Sequence, residues 1–293
     1  MPGPVPAGLA RSPAWVLVLV AVCSVQFGGA FAATLFERVG ATGAVSLRLV
    51  LATLILLVVV RPRVRGIGGR TWLTVGAYGA SLGLMNLSIY AAFSRMELGA
   101  AVTVEFCGPL VLAAVLSKRA GDAAAVVLAA AGVVLVSGHQ WSDIFRPAVV
   151  FALMAGAMWA CYILLAARVS TLMPRLDGLA VGMTFATVIV APAGLVLHGQ
   201  ELVHAPTVAV GLAVAVMSSV LPYSLELVAL RRMPARVFGV LQSTEPALAA
   251  LAGFLVLSQH LTLPQVLGVA AVVGASVLVT LRSRGDTVQP DPD

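Results

Sequence analysis

The chain has 293 residues, 60% of them hydrophobic and 10% charged, with a formal net charge of +6 and a mean hydropathy of +1.02. Soluble domains carry about 25% charged residues, so the composition excludes a soluble globule and indicates an all-α integral membrane protein. Nucleic-acid binding is excluded too, because it needs basic residues gathered on one soluble face among aromatics, and here they are scattered through short connections.

A hydrocarbon core about 30 Å thick takes about 20 apolar residues in a helix. Apolar runs bounded by Pro, Gly and charge predict ten spans, at 13–35, 43–60, 72–94, 98–117, 122–138, 147–167, 178–198, 207–230, 236–257 and 263–281. The first run follows Arg11 and contains Ala30-Phe31-Ala32, which resembles a signal-peptide cleavage site. Its length, its Gln26 and the polytopic remainder favour a retained span. The connections leave no room for a soluble domain.

Cytoplasmic loops retain Arg and Lys. With ten spans, one side holds 14 basic residues: Arg11, Arg61, Arg63, Arg65, Arg70, Lys118, Arg119, Arg168, Arg175, Arg231, Arg232, Arg236, Arg282 and Arg284. The other side holds 3, Arg38, Arg95 and Arg146, and Arg48 lies within a span. Both termini are therefore expected in the cytoplasm, in the segments 1–12 and 282–293. Sliding the chain by 137 residues superposes Arg95-Met96 on Arg232-Met233, Ala92 on Ala229, Pro109 on Pro246 and Ala113 on Ala250. Residues 13–138 and 147–281 then form two five-span repeats. Five is odd, so the repeats are inverted, an arrangement that places a transport site near the midplane between halves.

Ionisable residues within spans cost several kcal/mol and mark solute or proton paths. Along the chain these are Arg48, Glu105, Glu226 and Glu245. From the helical rise, Arg48 and Glu105 lie about 8 Å and about 11 Å below the outer surface and are placed to pair. Glu245 lies about 12 Å and Glu226 about 6 Å from the cytoplasmic surface, so an interfacial pairing of Glu226 with Arg231 or Arg232 competes with a gate role. Ser219, Tyr223 and Glu226 share one helical stripe, as do Gln242 and Glu245, and Asn86 and Tyr90. Gln26, Trp159 and Tyr162 add polar or aromatic groups at mid-depth. Pro109, Pro222 and Pro246 remove backbone donors inside spans and are candidate helix breaks.

Gly79-x3-Gly83 and Ala152-x3-Gly156-x3-Ala160 let helices approach closely. Cys23, Cys107 and Cys161 read as packing residues, and His139, His198, His204 and His260 as loop or span-end residues, so neither a disulfide framework nor a metal site is expected. No nucleophile–base pair or phosphate loop occurs, which argues against an enzyme or an ATP-driven pump and implies no cofactor.

Several segments resemble the threonine and homoserine exporters of the EamA branch of the drug/metabolite transporter superfamily. They are Leu221-Pro222-Tyr223-Ser224-Leu225-Glu226, Arg236-Val237-Phe238-Gly239, Glu245-Pro246-Ala247-Leu248-Ala249-Ala250, Leu47-Arg48-Leu49, Gly83-Leu84-Met85-Asn86 and Glu105-Phe106-Cys107-Gly108-Pro109-Leu110. The resemblance implies ten helices in two repeats, residence in the bacterial inner membrane, and export of small amino acids against proton influx. It carries function onto Arg48, Asn86, Glu105, Tyr223, Glu226 and Glu245. Cys107 stands where a hydroxyl residue is expected, and Gln242-Ser243-Thr244 departs from a Met-rich segment. The expected mechanism is alternating access, with Glu245 or Glu105 taking up a proton as cargo leaves. The competing readings are a carrier of another metabolite or a cationic drug on the same fold, and a non-transporting membrane sensor or assembly subunit.

Overall fold

The computed structural model describes residues 12–117, 120–137, 145–173, 176–230, 232–233 and 235–282. Among the basic residues used for orientation, Arg11, Lys118, Arg119, Arg175, Arg231 and Arg284 lie outside it, as do His139 and most of both terminal segments. The described residues are almost entirely helical, with no strand among them.

In chain order the helices are α1 (Ala14–Ala33), α2 (Phe36–Val60), α3 (Gly69–Phe93), α4 (Leu98–Ser117), α5 (Ala120–Ser137), α6 (Pro147–Leu172), α7 (Asp177–Leu202), α8 (Ala205–Ala215), α9 (Leu221–Leu230), α10 (Ala235–Gln242), α11 (Glu245–Leu257) and α12 (Leu263–Arg282). Each predicted segment falls on one or two of these, and eight helical stretches are long and apolar enough to cross a membrane. In α5 the apolar stretch Ala124–Ser137 is shorter, and in α3 the apolar run is diluted by Arg70, Thr71, Thr74 and Asn86. The second predicted span begins earlier than its apolar run suggests. A turn containing Glu37 and Arg38 precedes Gly40, whose φ of 58° lets the chain bend before the main rod of α2.

Apolar helices gain no hydrophobic drive from meeting one another in lipid, so close packing decides which pairs form. The small-residue motifs mark those contacts. On α3, a Cβ at Gly79 would overlap the carbonyl of Gly182 on α7, and one at Gly83 would lie 3.2 Å from the Ala186 backbone. On α6, Gly156 meets Gly108 of α4 so closely that a Cβ on either would overlap the other helix's backbone. Gly156→Val should therefore force α4 and α6 apart at a cost of about 3 kcal/mol. The expected result is a lower thermal midpoint in detergent and less protein in the membrane. An unchanged midpoint would contradict this packing.

Cys23, Cys107 and Cys161 are free thiols, partly buried, buried and exposed respectively.

Candidate functional site

Two prolines in the second half set the geometry. Pro222 has no backbone N–H, so the turn before it is short of one helical donor. At that point α8 passes through a π-helical turn, Val216–Val220, before α9 begins. Arg48 of α2 reaches this turn, donating from Nη2 to the Ser218 carbonyl at 2.8 Å. The guanidinium also donates from Nε to Ser219 Oγ at 3.3 Å and from Nη1 to Tyr90 Oη at 3.4 Å. Its Cζ lies 5.7 Å from the Tyr90 ring centre. The expected ion pair with Glu105 is therefore not formed. The Ser218 carbonyl, together with two hydroxyls, holds the cation instead.

Pro246 produces a true break. α10 stops at Gln242, and α11 starts at Glu245 with Pro246 in its first turn, where a missing N–H costs nothing. No side chain caps this start. Glu245 is buried there, 8% exposed, at the helix end where a carboxylate is favoured by the dipole. Pro109 behaves otherwise, since α4 runs through it without interruption. The Glu105 carbonyl, which Pro109 cannot bond, lies against Gly156 of α6, where a Cβ would overlap it.

Between these elements lies a cavity of about 520 Å³, within the range of small-molecule sites. Its wall includes Gln26, Arg48, Asn86, Tyr90, Glu105, Trp159, Tyr162, Tyr223, Glu226, Gln242 and Glu245. Those are the polar and aromatic residues nominated from sequence, drawn together from α1, α2, α3, α4, α6, α9, α10 and α11. Pro109 and Pro222 also touch the cavity, and Pro246 does not. Glu226 belongs to this wall and is hydrogen-bonded by the Gln242 side chain. Asn86 uses Nδ2 on the Leu82 carbonyl at 2.8 Å. Aromatic contacts stiffen one side: Tyr78 stacks on Tyr162 at 5.2 Å, and Phe106 meets Trp159 edge-on at 5.6 Å.

Met85, Ser218, Phe238, Ser276 and Thr280 are also on the wall and were not among the candidate site residues. Ser276 and Thr280 stand four apart on α12, the same stripe signal that identified Asn86 and Tyr90. Thr280 Oγ1 donates to the Ser276 carbonyl at 2.8 Å, and Ser276 Oγ lies 2.8 Å from Ser243 Oγ. Among the described residues, two buried polar atoms on the wall, Ser218 Oγ and Gln242 Oε1, have no hydrogen-bond partner.

Three carboxylates and one guanidinium thus line a single cavity. A buried carboxylate without a counter-charge is costly, so this wall demands cations, either protons or the ammonium of a guest. Among the described residues no His, Cys, Asp and Glu cluster could hold a metal ion. His198 lies within α7 against Gly40, and His260 packs edge-on to Phe254 at 5.3 Å.

Residues 146–281 match the EamA-like transporter family. The chain is 40% identical over 287 residues to the threonine/homoserine exporter RhtA of Escherichia coli (strain K12), covering 96% of this chain and 97% of that protein. To the threonine/homoserine exporter RhtA of Salmonella typhimurium (strain LT2) it is 41% identical over 284 residues, covering 95% and 96%. A crystal structure of a further protein superposes with a TM-score of 0.59 at 17% identity, covering 92% of this chain and 98% of the other, a likeness of fold alone.

Proposed function

The chain belongs to the EamA-like transporter family, and from that premise we propose that it exports threonine, homoserine or similar small amino acids across the bacterial inner membrane. It is a multi-pass membrane transporter and not an enzyme. The observation that carries the cargo reading is the wall of the central cavity. It offers carboxylates for an ammonium, hydroxyl and amide groups for a side-chain hydroxyl, and aromatic faces around a small volume.

The architecture of the reading is ten spans in two inverted repeats, 13–138 and 147–281, with both termini cytoplasmic. In it, α8 with α9 forms one span and α10 with α11 another. The pattern of helix packing supports this. Exchanging each helix of the first half for its counterpart in the second maps the α3–α6 contact onto α1–α9, α4–α6 onto α1–α11, and α3–α7 onto α2–α8. The contacts α2–α7, α4–α11 and α5–α12 map onto themselves. The 137-residue shift also superposes Asn86 on Tyr223 and Glu105 on Gln242, all four on the cavity wall. Two similar halves around one cavity can rock so that it opens to either side in turn. Influx of a proton onto Glu245 or Glu105 as cargo leaves would drive export.

Efflux of labelled threonine from preloaded cells tests the reading. Cells expressing the protein should lose label faster than empty-vector cells. Equal loss, at confirmed membrane abundance, would remove threonine as cargo and turn attention to other metabolites or cationic drugs.

A further inference from the structure

We propose that Phe93 is the outer gate of the export route, separating the central cavity from a second compartment through which cargo is released. The proposal rests on the topology and alternating-access reading above.

The second compartment has a volume of about 700 Å³, and Arg95, Glu97, Arg146, Gln259, Thr262 and Gln265 are on its wall. Arg95, Arg146 and Thr262 are exposed, so this space meets solvent, and in the proposed topology it faces away from the cytoplasm. Fixed charges of both signs suit a departing zwitterion. Among the described residues Phe93 alone lines both compartments. Its ring lies 5.8 Å from that of Tyr90, which holds Arg48. The ring edge also packs on α1 at Gly29, where a Cβ would sit 3.5 Å away. Ala30, Leu98, Val102, Ala249 and Ala252 close the space around it in one buried apolar cluster. Phe93 is thus the described residue common to both walls, packed against an apolar collar.

Polar contacts between the halves hold the collar shut. α11 ends in a left-handed residue, Ser258, with φ 54°. The chain then doubles back, and Gln259 N donates to the Gly253 carbonyl at 3.1 Å. Gln259 Oε1 accepts from Leu98 N at 2.9 Å, one of the first-turn donors of α4 that lack a helical partner. The absence of a side chain at Gly253 makes room, since a Cβ there would lie 2.7 Å from that Oε1. Beside it, Gln265 Nε2 donates to Glu97 Oε2 at 3.2 Å. Opening outward requires Phe93 to swing away and the Gln259–Leu98 bond to break, which frees the start of α4 from the end of α11.

Thiol labelling tests the gate without any cargo. In a chain with Cys23, Cys107 and Cys161 replaced by serine, Val25→Cys places a reporter on the cavity wall and Thr262→Cys one in the outer compartment. A charged, membrane-impermeant thiosulfonate is added outside intact cells. Phe93→Ala should raise the labelling rate of Val25→Cys about tenfold, as removal of a partly buried aromatic contact shifts the open population. Thr262→Cys should label at the same rate with either residue at 93. Gln259→Ala should act in the same direction, and it stands in if Phe93→Ala fails to reach the membrane. If neither variant changes Val25→Cys labelling while Thr262→Cys reacts normally, the gate is wrong. It is equally wrong if Val25→Cys already reacts as fast as Thr262→Cys with Phe93 in place. Failure of threonine efflux would remove the amino-acid reading and leave this labelling result standing.

Discussion

Arg48→Ala is expected to reduce threonine efflux to the empty-vector rate. The guanidinium makes three hydrogen bonds in different directions, to the Ser218 carbonyl, Ser219 Oγ and Tyr90 Oη. It thereby joins α2 to the π-helical turn of the second half and to α3 of the first. Its removal takes a charged donor away from the buried Ser218 carbonyl, at a cost of about 1–3 kcal/mol. It also leaves a cavity walled by Glu105, Glu226 and Glu245 with no opposing cation among the described wall residues. A rate loss of about 100-fold corresponds to about 2.7 kcal/mol, within what those two effects supply. Arg48→Lys restores a charge but not the planar fork, so it should recover only part of the rate. Efflux from both variants is compared at equal membrane abundance, with size-exclusion profiles in detergent to separate loss of fold from loss of transport. Wild-type efflux from a well-folded Arg48→Ala protein would show that the guanidinium serves neither cargo nor the junction of the halves.

Much of this junction is legible in the amino-acid sequence. The residues that cost most inside a bilayer, Arg48, Glu105, Glu226 and Glu245, converge on one cavity because a buried charge survives only beside polar partners. The stripes carrying Asn86 with Tyr90, and Gln242 with Glu245, follow from helical spacing alone. The prolines are legible as a class and not as individuals. Pro222 follows a π-helical turn that Arg48 bonds, Pro246 begins a helix, and Pro109 sits in an unbroken rod whose freed carbonyl rests on Gly156. Which of these occurs depends on what the neighbouring helix offers, and no local pattern encodes that. The depth argument pairs Arg48 with Glu105 because it counts height and not azimuth. Ser276 and Thr280 escape notice because a hydroxyl in an apolar span commonly bonds its own helix, as Thr280 does. Phe93 looks like any apolar residue near a span end, and its position between two cavities is a property of packing alone.

Glu245→Gln is the second substitution expected to stop export, and it separates a charge role from a packing role. Glutamine keeps the volume and can still accept a hydrogen bond from the first turn of α11, so a carboxylate that merely fixed the helix start would tolerate the change. Glu245 makes no ion pair or hydrogen bond to another described side chain, lies buried on the cavity wall, and shares that wall with two further carboxylates. A charge in that setting needs a cation that comes and goes, either a proton or the ammonium of the cargo. Under proton-coupled export, acidifying the medium around wild-type cells raises the inward proton gradient and should accelerate threonine efflux. In Glu245→Gln both the rate and this dependence on external pH should vanish. Glu226→Gln should keep a partial rate, because an amide can remake the contact with Gln242. Glu105→Gln completes the comparison, since the 137-residue shift places Glu105 opposite Gln242 and its neutral form is already accommodated in the other half. A Glu245→Gln protein that retains the wild-type dependence on external pH would move the proton to Glu105. A flat response in the wild type itself would remove proton coupling while leaving the cavity as the site of cargo.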